Sequence, residues 1–230
     1  MTLHRFITDH EIHKGAIVVT DSQIVHQIAT VLKIKSGEKI ALCSGRGLQG
    51  IGTVKNIAKS AITIDIENIE KKISDTPREV NLYISILKRE NMELVVQKAT
   101  EVGISMIVPI ITERTVKTGF NMERLRKIAK EASEQSGRFF EPKISDTMSL
   151  VQALTESHGS KHFFHGSGEV ITSKSKAVER ANIFIGPEGG WTDKECDVAR
   201  DSGASIIKLS GLTMRAETAA IIASYIVINQ

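Results

Sequence analysis

The sequence has little cysteine and no long apolar run. Its 230 residues contain only two cysteines, Cys43 and Cys196, and neither belongs to a C-x-x-C pair, so we expect no disulfide framework and no zinc site. No apolar stretch approaches the roughly 20 residues that a membrane-spanning helix needs. The first residues also lack the apolar core of a signal peptide. These absences predict a cytosolic protein that binds neither a membrane nor a metal.

Missing motifs and composition narrow the class of protein further. The chain contains no G-x-S-x-G nucleophile elbow and no H-E-x-x-H metal motif, which disfavours a hydrolase. Hydrophobic residues make up 41% and charged residues 25%, values typical of a globular protein. The net charge is only +3, and the excess of Lys and Arg lies in the first 73 residues. This asymmetry weakly supports a polyanionic partner, and a solvated surface explains it nearly as well.

The pattern of the chain changes near residue 74. Before it, short β-prone runs at hairpin spacing and one helical segment predict a small β-barrel. The polar stretch 74–79 is the best linker candidate. After it, strand-like and helix-like segments alternate, which predicts an α/β fold with a mostly parallel sheet covered on both faces. The expected domains are therefore 1–73 and 74–230.

The most informative segment is Gly186-Pro187-Glu188-Gly189-Gly190, which follows the apolar run 183–185. Three glycines and a proline in five residues must form a turn. Thr192 and Glu195 then read as a capping box that begins a helix. The pentapeptide fits neither the P-loop nor the dinucleotide-binding pattern. Loops at the carboxyl ends of strands in α/β sheets bind ligands, but a tight connection alone would explain the glycines equally well.

A second informative segment runs from Leu209 to Ala220. A strand ends there, a loop of small residues follows, and Arg215 and Glu217 stand at the start of an apolar helix. Ordinary capping would explain the pair, since an acid in the first turn is favoured by the helix dipole. Both loops follow neighbouring strand-like runs and lead into helices.

Together with three other segments, these loops resemble a known family. The other segments are 88–103, 134–138 and 44–47. The whole chain resembles the RsmE-type ribosomal RNA small-subunit methyltransferases of the SPOUT superfamily, which methylate N3 of a uridine in 16S rRNA. The G-P-E-G-G and R-x-E-T-A-A motifs in this order are highly specific.

The resemblance implies a fold, a cofactor and partners. The first domain would be a PUA-like RNA-binding β-barrel, and the second a SPOUT methyltransferase domain with a C-terminal trefoil knot, which no periodicity of the sequence indicates. S-adenosylmethionine (SAM) would bind between the two glycine-containing loops. The enzyme would act as a homodimer on 16S rRNA of the small ribosomal subunit.

The candidate site residues fall into three groups. Arg215 would stabilise the uridine anion, because a guanidinium offers several donors and stays charged, and Glu217 would serve as a base or orient Arg215, provided burial raises its pKa. The candidate cofactor contacts are Gly186, Glu188, Gly189, Gly190, Leu209, Ser210, Leu212 and Met214. The candidate RNA contacts are Arg5, Lys33, Arg46, Lys88, Arg89, Arg114, Arg124 and Arg138.

Two residues in the segment that precedes Arg215 depart from the family pattern. Ser210 replaces a glycine and Leu212 replaces an arginine. Two alternatives therefore stay open: another SPOUT reaction such as ribose 2′-O-methylation, which would use the same cofactor loops, and a non-catalytic RNA-binding module. Retention of Arg215 and Glu217 argues against the second.

Overall fold

The computed structural model describes residues 3–116, 119–171, 179–209 and 211–230. Contacts along the backbone divide the chain into two compact units. The first comprises Met1–Asp75 and Ser133–Glu141, and the second comprises Thr76–Ala132 and Pro142–Gln230. The segment 133–141 thus belongs to the first unit, whereas the expected boundary at residue 73 left it in the second domain.

The first unit contains a five-stranded sheet. Its strands are β1 (His4–Ile7), β2 (Gly15–Val19), β3 (Lys39–Cys43), β4 (Leu48–Ile57) and β5 (Ile62–Lys71). The strand order is β1-β3-β4-β5-β2; β1 and β3 are parallel and the other neighbours are antiparallel. Inward-facing side chains such as Phe6, Ile40 and Ile64 form one buried apolar core.

One helical segment follows β2, as the sequence predicts. Helix α1 (Ser22–His26) begins after Asp21, whose carboxylate accepts hydrogen bonds from the backbone N–H groups of Gln23 at 2.8 Å and Ile24 at 3.2 Å. This cap satisfies two donors that a helix start leaves free. The segment continues as a π-helical turn, Gln27–Val31.

A partly buried carboxylate holds segment 133–141 in the first unit. Asp75 accepts hydrogen bonds from the backbone N–H groups of Phe139 at 3.0 Å and Phe140 at 2.9 Å, and it pairs with Arg138 at 3.3 Å. Only 8% of the Arg138 side chain is exposed, and burial lowers the pKa of its guanidinium against the opposing effect of Asp75. Arg138 was predicted to contact RNA; the structure instead buries it in the packing of this unit.

The second unit is built on a parallel sheet. Its strands are β6 (Glu79–Ser85), β7 (Met106–Ile111), β8 (Lys143–Ile144), β9 (Met148–Ser149), β10 (Ser160–Val170), β11 (Arg180–Ile185) and β12 (Ser205–Lys208). Its helices are α2 (Arg89–Val102), α3 (Met122–Ser136, whose last turn lies in the first unit), α4 (Leu150–Glu156), α5 (Asp193–Asp201) and α6 (Ala216–Ile228). The order is β12-β10-β11-β6-β7-β8 with β9 also on β7, and every pairing is parallel. This confirms the predicted α/β fold with a mostly parallel sheet.

Both faces of this sheet are buried. Along β6, Leu82 and Ile84 belong to a core that includes side chains of α2 and α6, while Tyr83 between them belongs to a second core with α4 and α5. The ring of Tyr83 stacks on Phe184 of β11 with centroids 4.6 Å apart. Alternate residues thus face opposite helical layers. Across the described ranges, none of the helices has the length and hydropathy that crossing a bilayer requires.

Removing the Asp75 carboxylate should destabilise the first unit. We expect Asp75→Ala to cost about 3–5 kcal/mol, because it removes the carboxylate that faces a buried guanidinium. Urea unfolding followed by circular dichroism would show a lower midpoint. The control Asp197→Ala, which breaks an exposed pair with Arg200, should move the midpoint little. Equal midpoints for wild type and Asp75→Ala would contradict the role of this pair.

Candidate active site

A cavity of about 960 Å³ opens at the carboxyl edge of the second unit's sheet. Its walls come from β10 itself and from the segments that follow β6, β11 and β12, the strands next to one another in the sheet. Small-molecule sites commonly enclose about 300–1,000 Å³ and lie at this edge of α/β sheets. The cavity can therefore hold a cofactor together with part of a second substrate.

The segment after β11 forms a closed turn against a buried indole ring. The backbone N–H of Gly190, with φ +71°, donates to the carbonyl of Pro187 at 2.8 Å. Gly186 lies so close to Trp191 that an added Cβ would be 2.9 Å from a ring atom. The Trp191 ring in turn donates from Nε1 to the carbonyl of Phe164 at 3.0 Å. Glycine at 186 is therefore needed for close packing.

The helix after this turn begins with the predicted capping box. The hydroxyl of Thr192 accepts from the backbone N–H of Glu195 at 3.3 Å, and the Glu195 carboxylate accepts from the backbone N–H of Thr192 at 2.9 Å. Glu195 is buried. The turn is thus fixed by β11 on one side and by α5 on the other.

The segment between β12 and α6 forms another wall of the cavity. Leu209, Leu212 and Met214 line it, and Leu212 is 89% exposed. Arg215 is the N-cap residue of α6, is exposed, and makes no side-chain capping bond. Apolar side chains and the exposed Arg215 therefore meet at this wall of the cavity.

Glu217 lines the cavity and has one carboxylate oxygen without a hydrogen-bond partner in the described chain. Only 7% of the residue is exposed, and its Oε2 is fully buried without a hydrogen-bond partner among the described residues. The described part of the chain shows no ion pair between Glu217 and Arg215. Burying an unpaired carboxylate is costly, and the N-terminus of α6 offsets only part of that cost. This oxygen is therefore well suited to accept from a donor or attract a cation on a ligand.

Most of the predicted cofactor contacts line this same cavity. Of the predicted cofactor contacts, those that line it are Gly186, Glu188, Gly190, Leu209, Leu212 and Met214; the predicted catalytic residues Arg215 and Glu217 line it too. Gly189 is not among the lining residues; an added Cβ there would lie 3.4 Å from Arg114 Cδ. The predicted contact at Ser210 lies outside the described residues.

The predicted RNA contacts are spread over both units. Lys88, the N-cap residue of α2, lines the cavity. Arg89 and Arg124 both pair with Glu93, at 3.0 and 3.1 Å, and these hydrogen bonds lower the pKa of the Glu93 carboxyl. Arg114 donates to the carbonyl of Gly189 at 2.7 Å.

The remaining predicted RNA contacts lie in the first unit. Arg5 donates from Nε to the side chain of Gln49 at 3.2 Å. Lys33 and Arg46 are exposed. All three are compatible with an RNA-binding surface on that unit.

His165 and Asn91 also line the cavity, although neither was predicted as a site residue. The pairing of β10 with β12 is irregular between Phe164 and Glu169, and this irregularity contains His165. The imidazole Nδ1 lies 2.7 Å from the hydroxyl of Ser167. Strand irregularities often redirect side chains at active sites. Asn91 sits in the first turn of α2, within the segment 88–103 that carries part of the family resemblance.

Comparison with known proteins agrees with this geometry. A family model described as an RNA methyltransferase domain matches residues 74–228. Ribosomal RNA small subunit methyltransferase E of Rickettsia conorii is 28% identical, over 95% of this chain and 91% of that protein. The enzyme of the same name from Bacillus subtilis is 26% identical, over 93% of this chain and 90% of that protein.

Solved structures are similar over almost the whole chain. Ribosomal RNA small subunit methyltransferase E of Neisseria gonorrhoeae, solved with bound SAM, has a TM-score of 0.90 at 25% identity and covers 97% of this chain and 95% of its own. A Legionella pneumophila protein described as a methyltransferase in complex with SAM has a TM-score of 0.91 at 25% identity, covering 99% and 97%.

Enlarging Gly186 should disturb Trp191. An alanine Cβ would lie 2.9 Å from the indole ring, so the ring must move. Trp191 is the only tryptophan of the chain, so its fluorescence reports this change directly. We expect a red-shifted emission for Gly186→Ala and a wild-type spectrum for Gly119→Ala, where a Cβ would meet nothing within 4 Å. An unshifted Gly186→Ala spectrum would argue against the close contact.

Proposed function

Because this chain belongs to the family of the RNA methyltransferase domain, we propose that it is a SAM-dependent methyltransferase that modifies N3 of a uridine in 16S rRNA. The observation that carries the proposal is the cavity at which both glycine-containing segments and Glu217 meet. Support comes from relatives named for small-subunit ribosomal RNA methylation and from similar structures that hold SAM.

The residues of the cavity fit SAM. Backbone groups of the Gly186–Gly190 turn and the side chains of Leu209, Leu212 and Met214 would surround the adenosine. Glu217 Oε2 is a buried acceptor without a partner in the described chain, and SAM carries an ammonium and a sulfonium. When bound, SAM supplies an electrophilic methyl carbon and leaves as the neutral thioether. These residues would hold the cofactor in place, and positioning of this kind supplies much of the rate of a transfer reaction.

The substrate must lose a proton before it becomes a good nucleophile. Neutral uridine carries a proton on N3, and removing it spreads negative charge over O2, N3 and O4. Arg215 is exposed at the cavity mouth, where its guanidinium can donate to those oxygens as the charge develops. Glu217, one residue beyond the helix start, takes the N3 proton or orients Arg215 when the RNA is bound.

Loss of Arg215 should impair the chemical step and spare cofactor binding. We expect Arg215→Ala to lower kcat by about 10²–10³-fold, the loss typical of removing one donor to a developing anion. Calorimetry with S-adenosylhomocysteine should give an unchanged Kd. Arg200→Ala, which removes an exposed arginine of α5, serves as the control. Wild-type turnover in Arg215→Ala would rule out this role.

The first unit would bind RNA. We propose that it is a PUA-like β-barrel and that Arg5, Lys33 and Arg46 contact RNA phosphates. We expect charge reversal at Arg46 to weaken RNA binding and to reduce the dependence of the affinity on salt concentration.

For the second unit, we propose that the finer topology is the SPOUT trefoil knot.

The active assembly would be a homodimer working in the cytoplasm. Helix α6 is apolar over most of its surface, yet Tyr225 is 60% exposed and Ile222 and Ile226 line a second cavity of about 510 Å³. A helix that is apolar on all sides is normally covered. Light scattering tests this, since a mass near the 25.2 kDa of one chain would contradict a dimer.

Product analysis separates the proposed reaction from its alternatives. The protein is incubated with labelled SAM and small ribosomal subunits that lack the modification, and the RNA is then digested to nucleosides. We expect 3-methyluridine. A 2′-O-methylated product would indicate the other SPOUT reaction, and the absence of transfer would indicate a non-catalytic RNA-binding module.

A further inference from the structure

The turn that follows β7, residues 112–115, lies against the turn that follows β11. Arg114 donates from Nη1 to the carbonyl of Gly189 at 2.7 Å and, more weakly, to that of Trp191 at 3.4 Å. The sequence predicted Arg114 as an RNA contact. Its side chain instead extends along Gly189, with Cδ 3.4 Å from the position of an added Cβ.

The 112–115 turn is itself firmly anchored. The hydroxyl of Thr115 accepts from the backbone N–H of Thr112 at 2.9 Å, and the two hydroxyls lie 2.8 Å apart. The hydroxyl of Ser85, at the end of β6, lies 3.1 Å from that of Thr112. Ser85 and Thr112 are buried. Arg114 therefore projects from a rigid base.

The same turn also holds the start of α5. The backbone N–H of Glu113 donates to the carboxylate of Glu195 at 2.9 Å, and the hydroxyl of Thr192 donates to the carboxylate of Glu113 at 3.1 Å. Between this attachment and the end of β11, Arg114 adds hydrogen bonds to the backbone carbonyls of Gly189 and Trp191.

Arg114 determines the orientation of one peptide group. The peptide between Gly189 and Gly190 has its carbonyl bound by Arg114 and its N–H bound by the carbonyl of Pro187 at 2.8 Å. Rotating this peptide would break both hydrogen bonds. With Arg114 in place, the Gly186–Gly190 turn keeps the shape that forms the cavity wall.

We propose that Arg114 is a positioning residue for the methyl-donor site: it holds the Gly189–Gly190 peptide so that the turn is preformed for the cofactor. This inference rests on the proposed function. Arg114 acts through the turn, because it is not among the residues that line the cavity. Preforming a loop raises affinity by removing the ordering cost of binding.

A double-mutant cycle between Arg114 and Gly189 tests the inference. Isothermal calorimetry with S-adenosylhomocysteine, without RNA, is run on wild type, Arg114→Ala, Gly189→Val and the double variant. We expect Arg114→Ala to weaken binding about tenfold, as loss of one charge-assisted hydrogen bond would. Gly189→Val should do the same by displacing Arg114. The double variant should then be no worse than either single variant, since both remove the same contact.

The matched control is Arg200→Ala. This exposed arginine of α5 pairs with Asp197 and is not among the residues that line the cavity, so the affinity should stay at the wild-type value. Losses that multiply to about a hundredfold in the double variant would mean that the two residues act independently, and would overturn the inference. Unchanged affinity in Arg114→Ala with weaker RNA binding would also overturn it, and would restore Arg114 as an RNA contact.

A second measurement needs no ligand. Arg114 contacts the carbonyl of Trp191, so a loosened turn should make the indole of Arg114→Ala more accessible to acrylamide quenching than in wild type. Quenching equal to wild type would count against the contact. If wild type binds no S-adenosylhomocysteine while Arg114→Ala quenches more, the proposed function fails and the restraint of the turn by Arg114 is upheld.

Discussion

The strands of the second unit's sheet all run in the same direction, so the loops that follow their carboxyl ends lie at the same edge of the sheet. The order β12-β10-β11-β6 brings residues of β10 together with the loops after β6, β11 and β12, although the residues of this site lie between 88 and 219 in the chain. The start of α6 adds Arg215 and Glu217 at the same edge. Those two side chains form no ion pair with each other in the described chain. Arg215 is therefore available at the surface, and Glu217 is available to a bound ligand. Parallel pairing thus assembles a site from distant segments.

Local signals were read correctly from the sequence where one stretch of chain determines the structure. The capping box at Thr192 and Glu195 depends on residues three apart, and it forms as predicted. The strand–helix alternation after residue 74 follows from apolar periodicity. The Gly186–Gly190 turn is also predictable, because proline and glycine leave the backbone few alternatives. These features are sufficient to indicate the fold class and the edge that holds the site.

Features that depend on distant partners were not predictable. Arg138 and Arg114 look like surface cations in the sequence, but their partners Asp75 and Gly189 are 63 and 75 residues away. Nothing near either arginine distinguishes a buried guanidinium, or one bound to a carbonyl, from a solvated one. His165 reaches the cavity because the pairing of β10 is interrupted, and a run of strand-like residues does not reveal that interruption. Long-range geometry therefore decides the roles of individual side chains.

The interruption in β10 has a further property. Phe164 and Glu169 both pair with Ile207, so the pairing of β10 with β12 stops and resumes at the same residue of β12. The excursion 165–168 closes through Gly168, where an added Cβ would lie 2.6 Å from the backbone of Ile207. Its length is thus uncoupled from the register of the sheet. Residues could be inserted or removed there without sliding either strand, which makes this excursion a natural place to graft new contacts beside the cavity while the scaffold stays intact.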